Sequence, residues 1–124
     1  MYQYKAKVIR VVDGDTVYLE IDLGLTVRTI TDVRLIGVNT PETVGATKEA
    51  GLKSKAYVEQ ALPKDSLVYV ITYKAEKYGR YLADIYYLPG ATEVEQIKAS
   101  GRHLNKELLD KGLAVPFMVP KDWK

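Results

Sequence analysis

Four short stretches carry side chains able to do chemistry: DGDT with Asp13 and Asp15, VRLIGV with Arg34, the NTPET loop with Glu42, and KYGR with Arg80. Asp-Gly is itself a favoured hairpin turn, because both residues tolerate positive φ, and that accounts for Asp13 and Gly14. Asp15 asks for more. A second acid at the start of a strand must be solvated, hydrogen-bonded or bound to a cation. Arg34 and Glu42 place a guanidinium and a further acid near loop mouths, and Arg80 puts a second guanidinium on a turn. Each has an ordinary reading as well: Thr40, Pro41 and Thr43 are common turn residues, and a lone loop arginine is usually a solvated charge.

The elements that must position these residues follow from periodicity. Val8, Arg10 and Val12 alternate with Ile9 and Val11, and Val17, Leu19, Ile21 and Leu23 alternate with Tyr18, Glu20 and Asp22, which predicts two paired strands. Residues 26–38 are β-branched and extend the meander, and residues 39–45 (NTPETVG) are a loop. Ala50, Leu52, Ala56, Val58 and Leu62 predict a helix over residues 48–62, stopped by Pro63. Strands are expected over residues 66–73 and 81–88, a polar connection over 89–102, a short helix over 104–111 ended by Gly112, and an extended tail. Five strands with two helices give a mainly β, α+β class, a five-stranded OB-type barrel, in a single domain over residues 1–124.

Composition narrows the function. The chain has 124 residues, no cysteine and a net charge of +2, so disulfides, zinc thiolates and thiol nucleophiles are excluded while a polyanionic partner is permitted. No apolar run is long enough to span a bilayer, and MYQYKAKVIRVV lacks the basic start, apolar region and cleavage site of a secretory signal. The expected location is the cytoplasm, or outside the cell if a leader has been trimmed.

Taken in order, VVDGDTV, VRLIGVNTPET, EKYGRYLADIY and LNKELLDKGLA resemble the thermonuclease, or staphylococcal-nuclease-like, family of OB-fold nucleases, over about residues 8–114. The resemblance implies calcium-dependent hydrolysis of phosphodiester bonds in DNA or RNA, on single-stranded or locally opened substrates. It implies that Asp15 coordinates calcium directly with Asp13 supporting it, that the Thr40 carbonyl is a further ligand, and that Glu42 stands beside the attacking water. It also assigns Arg34 and Arg80 to the scissile phosphate. These roles suit the groups, since calcium takes oxygen ligands and a planar guanidinium meets two phosphate oxygens at once.

The chain departs from the family pattern in several places. Asn39 stands where aspartate is common, so a neutral amide replaces one carboxylate ligand. After Gly112, Met118 and Pro120 fall where the best-known member has two nucleotide-packing tyrosines. The segment 89–102 is longer than the usual turn, and in place of a last helix Trp123 is expected to close the underside of the barrel. Of the ten tyrosines, Tyr78 and Tyr81 flank Arg80 and are the candidates for nucleic-acid contact; the others fit strand patterns. His103 lies near Ser100 but no triad acid is identifiable. Lys48, Lys53 and Lys55 form a solvated helix face. The expected protein is a monomeric nuclease without a protein partner; the competing reading is an OB-fold module that grips single strands without cutting, which would have no need of the acids.

Overall fold

The computed structural model describes residues 2–75, 79–121 and 123. Three long strands open the chain: β1 (Tyr2–Asp13), β2 (Thr16–Gly24) and β3 (Val27–Leu35), each antiparallel to the one before. A two-residue strand β4 (Val38–Asn39) and a 3₁₀ turn lead to helix α1 (Lys48–Ala61). Strands β5 (Leu67–Ala75) and β6 (Tyr81–Tyr87) follow, then α2 (Val94–Ser100), β7 (Arg102–His103), α3 (Leu104–Asp110) and β8 (Val115–Pro116). The sheet runs β3-β2-β1-β5-β6-β7, and a parallel pairing of β3 with β6 closes five of these strands into a barrel. The class is the expected one, an OB-like α+β barrel.

Inward positions fill the barrel with aliphatic side chains. Val17, Leu19, Val33, Leu35, Val70 and Ile85 are completely buried, so the closed sheet leaves water outside its core. The simple alternation expected along β1 does not persist. An irregularity between Val8 and Arg10, and another between Val11 and Asp13, shift the phase so that Val8 and Val11 both point inward. Such bulges add local twist and re-aim the residues beyond them.

The α1 face differs from the predicted one. Gly51, Ser54 and Val58 are buried, whereas Ala50 and Ala56 are exposed and Leu52 is 44% exposed. Small residues face inward because the helix crosses close to neighbouring backbone: a Cβ on Gly51 would overlap the Glu42 carbonyl.

The segment expected to be a polar connection contains α2, a third helix among the described residues. It begins with a reciprocal cap in which Glu93 accepts from the Gln96 backbone N–H and the Gln96 side chain accepts from the Glu93 N–H at 3.1 Å, and it buries Ile97. The tail is extended as expected and pairs β8 with β4, joining Asn39 to Val115. Asn105 is fully buried at the start of α3. Its side-chain amide donates to the carbonyls of Ile36 (2.9 Å) and Ala83 (3.0 Å), and its oxygen accepts from the Ile85 N–H (3.1 Å). One amide thus ties the last helix to both strands of the parallel closure. Trp123 packs against the core and over Gly37, whose positive φ and lack of a Cβ both make room for the turn beneath the indole.

Candidate functional site

The site is built on the β1–β2 turn. Asp13 pairs with Thr16, so Gly14 and Asp15 are the two turn residues. Neither Asp13, Gly14 nor Asp15 has a positive φ, in contrast to the expectation for Asp-Gly. Glycine is required there for proximity instead: a Cβ on Gly14 would come within 2.9 Å of Ser54 and of Thr40. The Ser54 hydroxyl, donating to the Leu113 carbonyl at 2.6 Å, fixes α1 against the chain after α3, and the turn is pressed onto that base.

From the turn a chain of polar contacts runs across the end of the barrel. The Asp15 N–H donates to Asp13 Oδ1 at 3.2 Å. Asp15 Oδ2 accepts from the Thr40 N–H at 3.1 Å and lies 3.4 Å from Arg34 Nη2. The same Nη2 donates to Asn39 Oδ1 at 3.1 Å, while Nη1 donates to the Leu35 and Val38 carbonyls, each at 3.0 Å. Arg34 therefore has its guanidinium plane fixed by main chain on one side and faces Asp15 and Asn39 with the other. Thr16 Oγ1 lies 3.3 Å from Asp15 Oδ1 and accepts from Arg80 Nη1 at 3.2 Å, which brings the second guanidinium to the cluster.

The two acids are shifted in opposite directions. Burial, followed by the hydrogen bond and charge of Asp15, pushes Asp13 up to about 6. For Asp15 burial also acts upward, but the hydrogen bonds from Asp13 and the Thr40 N–H, with the charge of Arg34, outweigh it and hold that carboxyl below its usual range. A pair of carboxylates close enough to share a proton has negative charge to spare for a cation.

The donor set tests the expected metal. Asp15, Asp13, the Asn39 amide and the main chain at Thr40 offer only oxygen, which suits a hard cation such as calcium. Among the described residues no three His, Cys, Asp or Glu side chains group to hold a metal, so neutral oxygens would have to complete the shell. The oxygens suit a hard cation in type, and Arg34 Nη2, 3.4 Å from Asp15 Oδ2 and 3.1 Å from Asn39 Oδ1, would have to yield both to it.

Glu42 is exposed on the loop between β4 and α1. Its carbonyl accepts from the Thr47 hydroxyl at 3.1 Å, and Gly51 underlies it. The structure thus gathers Asp13, Asp15, Arg34, Asn39, Thr40 and Arg80, with Glu42 two residues from Thr40. Tyr81 stands on the lip of the barrel and Tyr78 lies outside the described residues. Phe117 escaped the sequence reading: its N–H donates to the Gly37 carbonyl at 3.0 Å, and its ring lies 5.9 Å from the Arg34 guanidinium carbon. Met118 is 81% exposed beyond it. The pairing of β8 with β4 brings this segment to the site, and no local pattern in VPFMVP announces it.

His103 does have an acid partner. Its Nε2 lies 2.7 Å from Asp84 Oδ1, Tyr73 donates to the other Asp84 oxygen at 2.6 Å, and the imidazole stacks on Tyr86 with the edge of Trp123 against it. This cluster packs the outer face of the barrel. A cleft of about 540 Å³ between the end of α1 and the chain after β6 lies among Gln60, Pro63, Tyr87 and Pro89, apart from the acids and arginines.

A closed OB-like barrel with paired acids and two arginines at one end defines a class of proteins, the nuclease-type barrels. The staphylococcal nuclease homologue family matches residues 32–123, and the chain belongs to that family. It is 36% identical over 105 residues to the uncharacterized protein MJ1439 of Methanocaldococcus jannaschii, a match covering 67% of this chain and 48% of the relative. It is 29% identical over 127 residues to the endonuclease YhcR of Bacillus subtilis, covering 94% of this chain and 9% of the relative. The chain thus spans about half the length of one of these relatives and about a tenth of the other. No helix among the described residues is long and apolar enough to cross a membrane.

Proposed function

We propose that the chain is a calcium-dependent nuclease that hydrolyses phosphodiester bonds of DNA or RNA. The observation that carries this reading is the convergence of Arg34 and Arg80 on one acid turn, through Asp15 and Thr16. A module that only gripped single strands would bury basic groups against phosphate without needing two half-buried acids between them.

Asp15, Asn39 and the Thr40 carbonyl would hold calcium, supported by Asp13, and the bound ion would supply positive charge to the phosphate oxygens. Arg34 has its plane fixed on two carbonyls and its Nη2 directed at Asp15 and Asn39, so Nη2 would turn to a phosphate as calcium takes those two oxygens. Arg80 approaches from the far side of Asp15. Glu42 takes or orients the proton of the attacking water from its exposed loop, which leaves room for substrate above it. Charge growing on the phosphoryl oxygens is met by two guanidinium groups, and the contacts strengthen as the charge develops.

Purified protein is incubated with end-labelled single-stranded DNA and RNA in calcium, magnesium or chelator. Cleavage in calcium, abolished by chelator and poor in magnesium, is the expected result. Full activity in chelator removes the metal from the reading, and binding without cleavage under all conditions returns the protein to the gripping module.

A further inference from the structure

The inward-facing residues change character at one end of the barrel. Along β1 the inward residues run Val8, Ala6, then Tyr4 and Tyr2; along β3, Leu35 and Val33, then Thr31 and Thr29; along β5, Val68 and Val70, then Thr72. Aliphatic layers give way to aromatic rings and hydroxyls on three strands at once. Beyond that level an open cavity of about 410 Å³ lies in the barrel mouth, with Leu23 and Tyr81 on its rim. Tyr2 is 70% exposed and Tyr81 52% exposed, so two large aromatic side chains are open to solvent at this end.

We propose that this mouth is a binding subsite for an unpaired nucleobase of the substrate strand. Among the described residues the lining contains rings, aliphatic edges and threonine hydroxyls and no charged side chain, so it suits a neutral flat group with polar edges and does not suit a phosphate. Threonine hydroxyls both donate and accept, which lets them meet the edge of any base. The position supplies the strand. Tyr81 follows directly on Arg80, whose guanidinium reaches the acid turn through Thr16, and Tyr81 pairs with Val33 beside Arg34. The rest of the mouth lies at the ends of β1, β2 and β3 away from Asp13, Thr16 and Arg34, so a chain whose phosphate lies at the arginines meets the lip at Tyr81 and reaches the other rings several nucleotides further along. Stacking on exposed rings is tolerant of sequence, because every base has a π-face. The subsite can therefore be filled only by a strand whose bases are out of a duplex.

This proposal rests on the nuclease reading, and its test separates the two. An uncleavable phosphorothioate strand of ~12 thymidines, within the usual site size of one such barrel, is compared with the same backbone carrying abasic sites, in calcium. Wild-type protein is expected to bind the thymidine strand ~10-fold more tightly, the scale of one base–aromatic stack. Tyr2→Ala combined with Tyr81→Ala should remove that preference while leaving the slope of affinity against salt unchanged, since no phosphate contact is lost. Tyr81→Phe should retain it. In the wild type, the thymidine strand should protect Tyr2 and Tyr81 from nitration and the abasic strand should not, a readout that needs no variant. Equal binding and equal nitration with both strands, in a protein that still cuts unmodified DNA, overturns the subsite alone. Failure to bind or cut any strand overturns both readings.

Discussion

At the scale of single residues, the two arginines are not equivalent. Arg34 is wired into main chain at Leu35 and Val38, whereas Arg80 is tied to a single threonine hydroxyl among the contacts described above. Lysine cannot reproduce a planar fork at either place. Arg34→Lys and Arg80→Lys are both expected to lower kcat on the order of 10²-fold, more than they raise KM, in steady-state cleavage of labelled DNA. Arg34→Lys should also lower the Tm by several degrees; a Tm equal to that of the wild type would mean that the Arg34 carbonyl contacts contribute no stability. Asn39 bears on the metal. With Asp15 the main charged ligand, calcium is expected to bind with Kd on the order of 10⁻⁴ to 10⁻³ M, because affinity falls with ligand charge. Asn39→Asp should tighten it in calorimetric titration, and identical affinities would remove Asn39 from the metal. Taken singly these residues have ordinary readings as turn and surface residues; it is the order of the motifs around them, and the family that order resembles, that marks them in the sequence. Phe117 is not marked, since its place depends on a two-residue strand pairing far along the chain.

At the scale of elements, what the sequence made plain was the strands, whose period-two runs survive in the barrel. Its misreadings have specific causes. The bulge at Val8/Arg10 changes which face of β1 is inward, and no residue type announces it. The α2 helix hides behind Glu93, an uncommon cap, in a stretch rich in polar residues. The α1 face was misassigned because its buried positions are small, chosen for backbone approach instead of hydrophobicity. That approach bears on the proposed function, because α1 supports the loop bearing Glu42. Gly51→Ala should gain helix propensity of about 1 kcal/mol, yet it forces the Glu42 carbonyl aside. A displacement of ~1 Å can cost about 10²-fold in rate. The expected result is a protein that still folds, by circular dichroism, with kcat reduced and KM little changed. Wild-type turnover in Gly51→Ala would show that the loop position is not critical.

At the scale of the whole molecule, Glu107 on α3 joins separate parts of the chain. Tyr57 of α1 donates to it at 3.1 Å, Tyr87 of β6 donates to the same oxygen, and Arg102 of β7 reaches the other at 2.6 Å. Burial alone would push the Glu107 carboxyl up, but hydrogen bonds from Tyr87, Arg102 and Tyr57 prevail and hold it below its ordinary 4.5. A carboxyl depressed in the folded state stabilises the fold above its unfolded pKa, and that stability is lost as the pH falls through the folded value. Glu107→Gln should therefore lower stability at pH 7 by about 1 to 2 kcal/mol and flatten its loss below about pH 4.5 in denaturant titrations. Parallel acid profiles for the two proteins would refute the link. Asn105 carries a different consequence, for the order in which the chain is made. The strands it joins are synthesised well before it: the Ala83 carbonyl already accepts from the Ile36 N–H, but its second bond and those to the Ile36 carbonyl and the Ile85 N–H wait for residue 105. A growing chain on the ribosome can form the β1–β2–β3 meander and pair β3 with β6 early, but that closure lacks the Asn105 clamp. Nascent chains stalled before Asn105 should remain open to protease, and chains extended beyond α3 should become resistant in a single step.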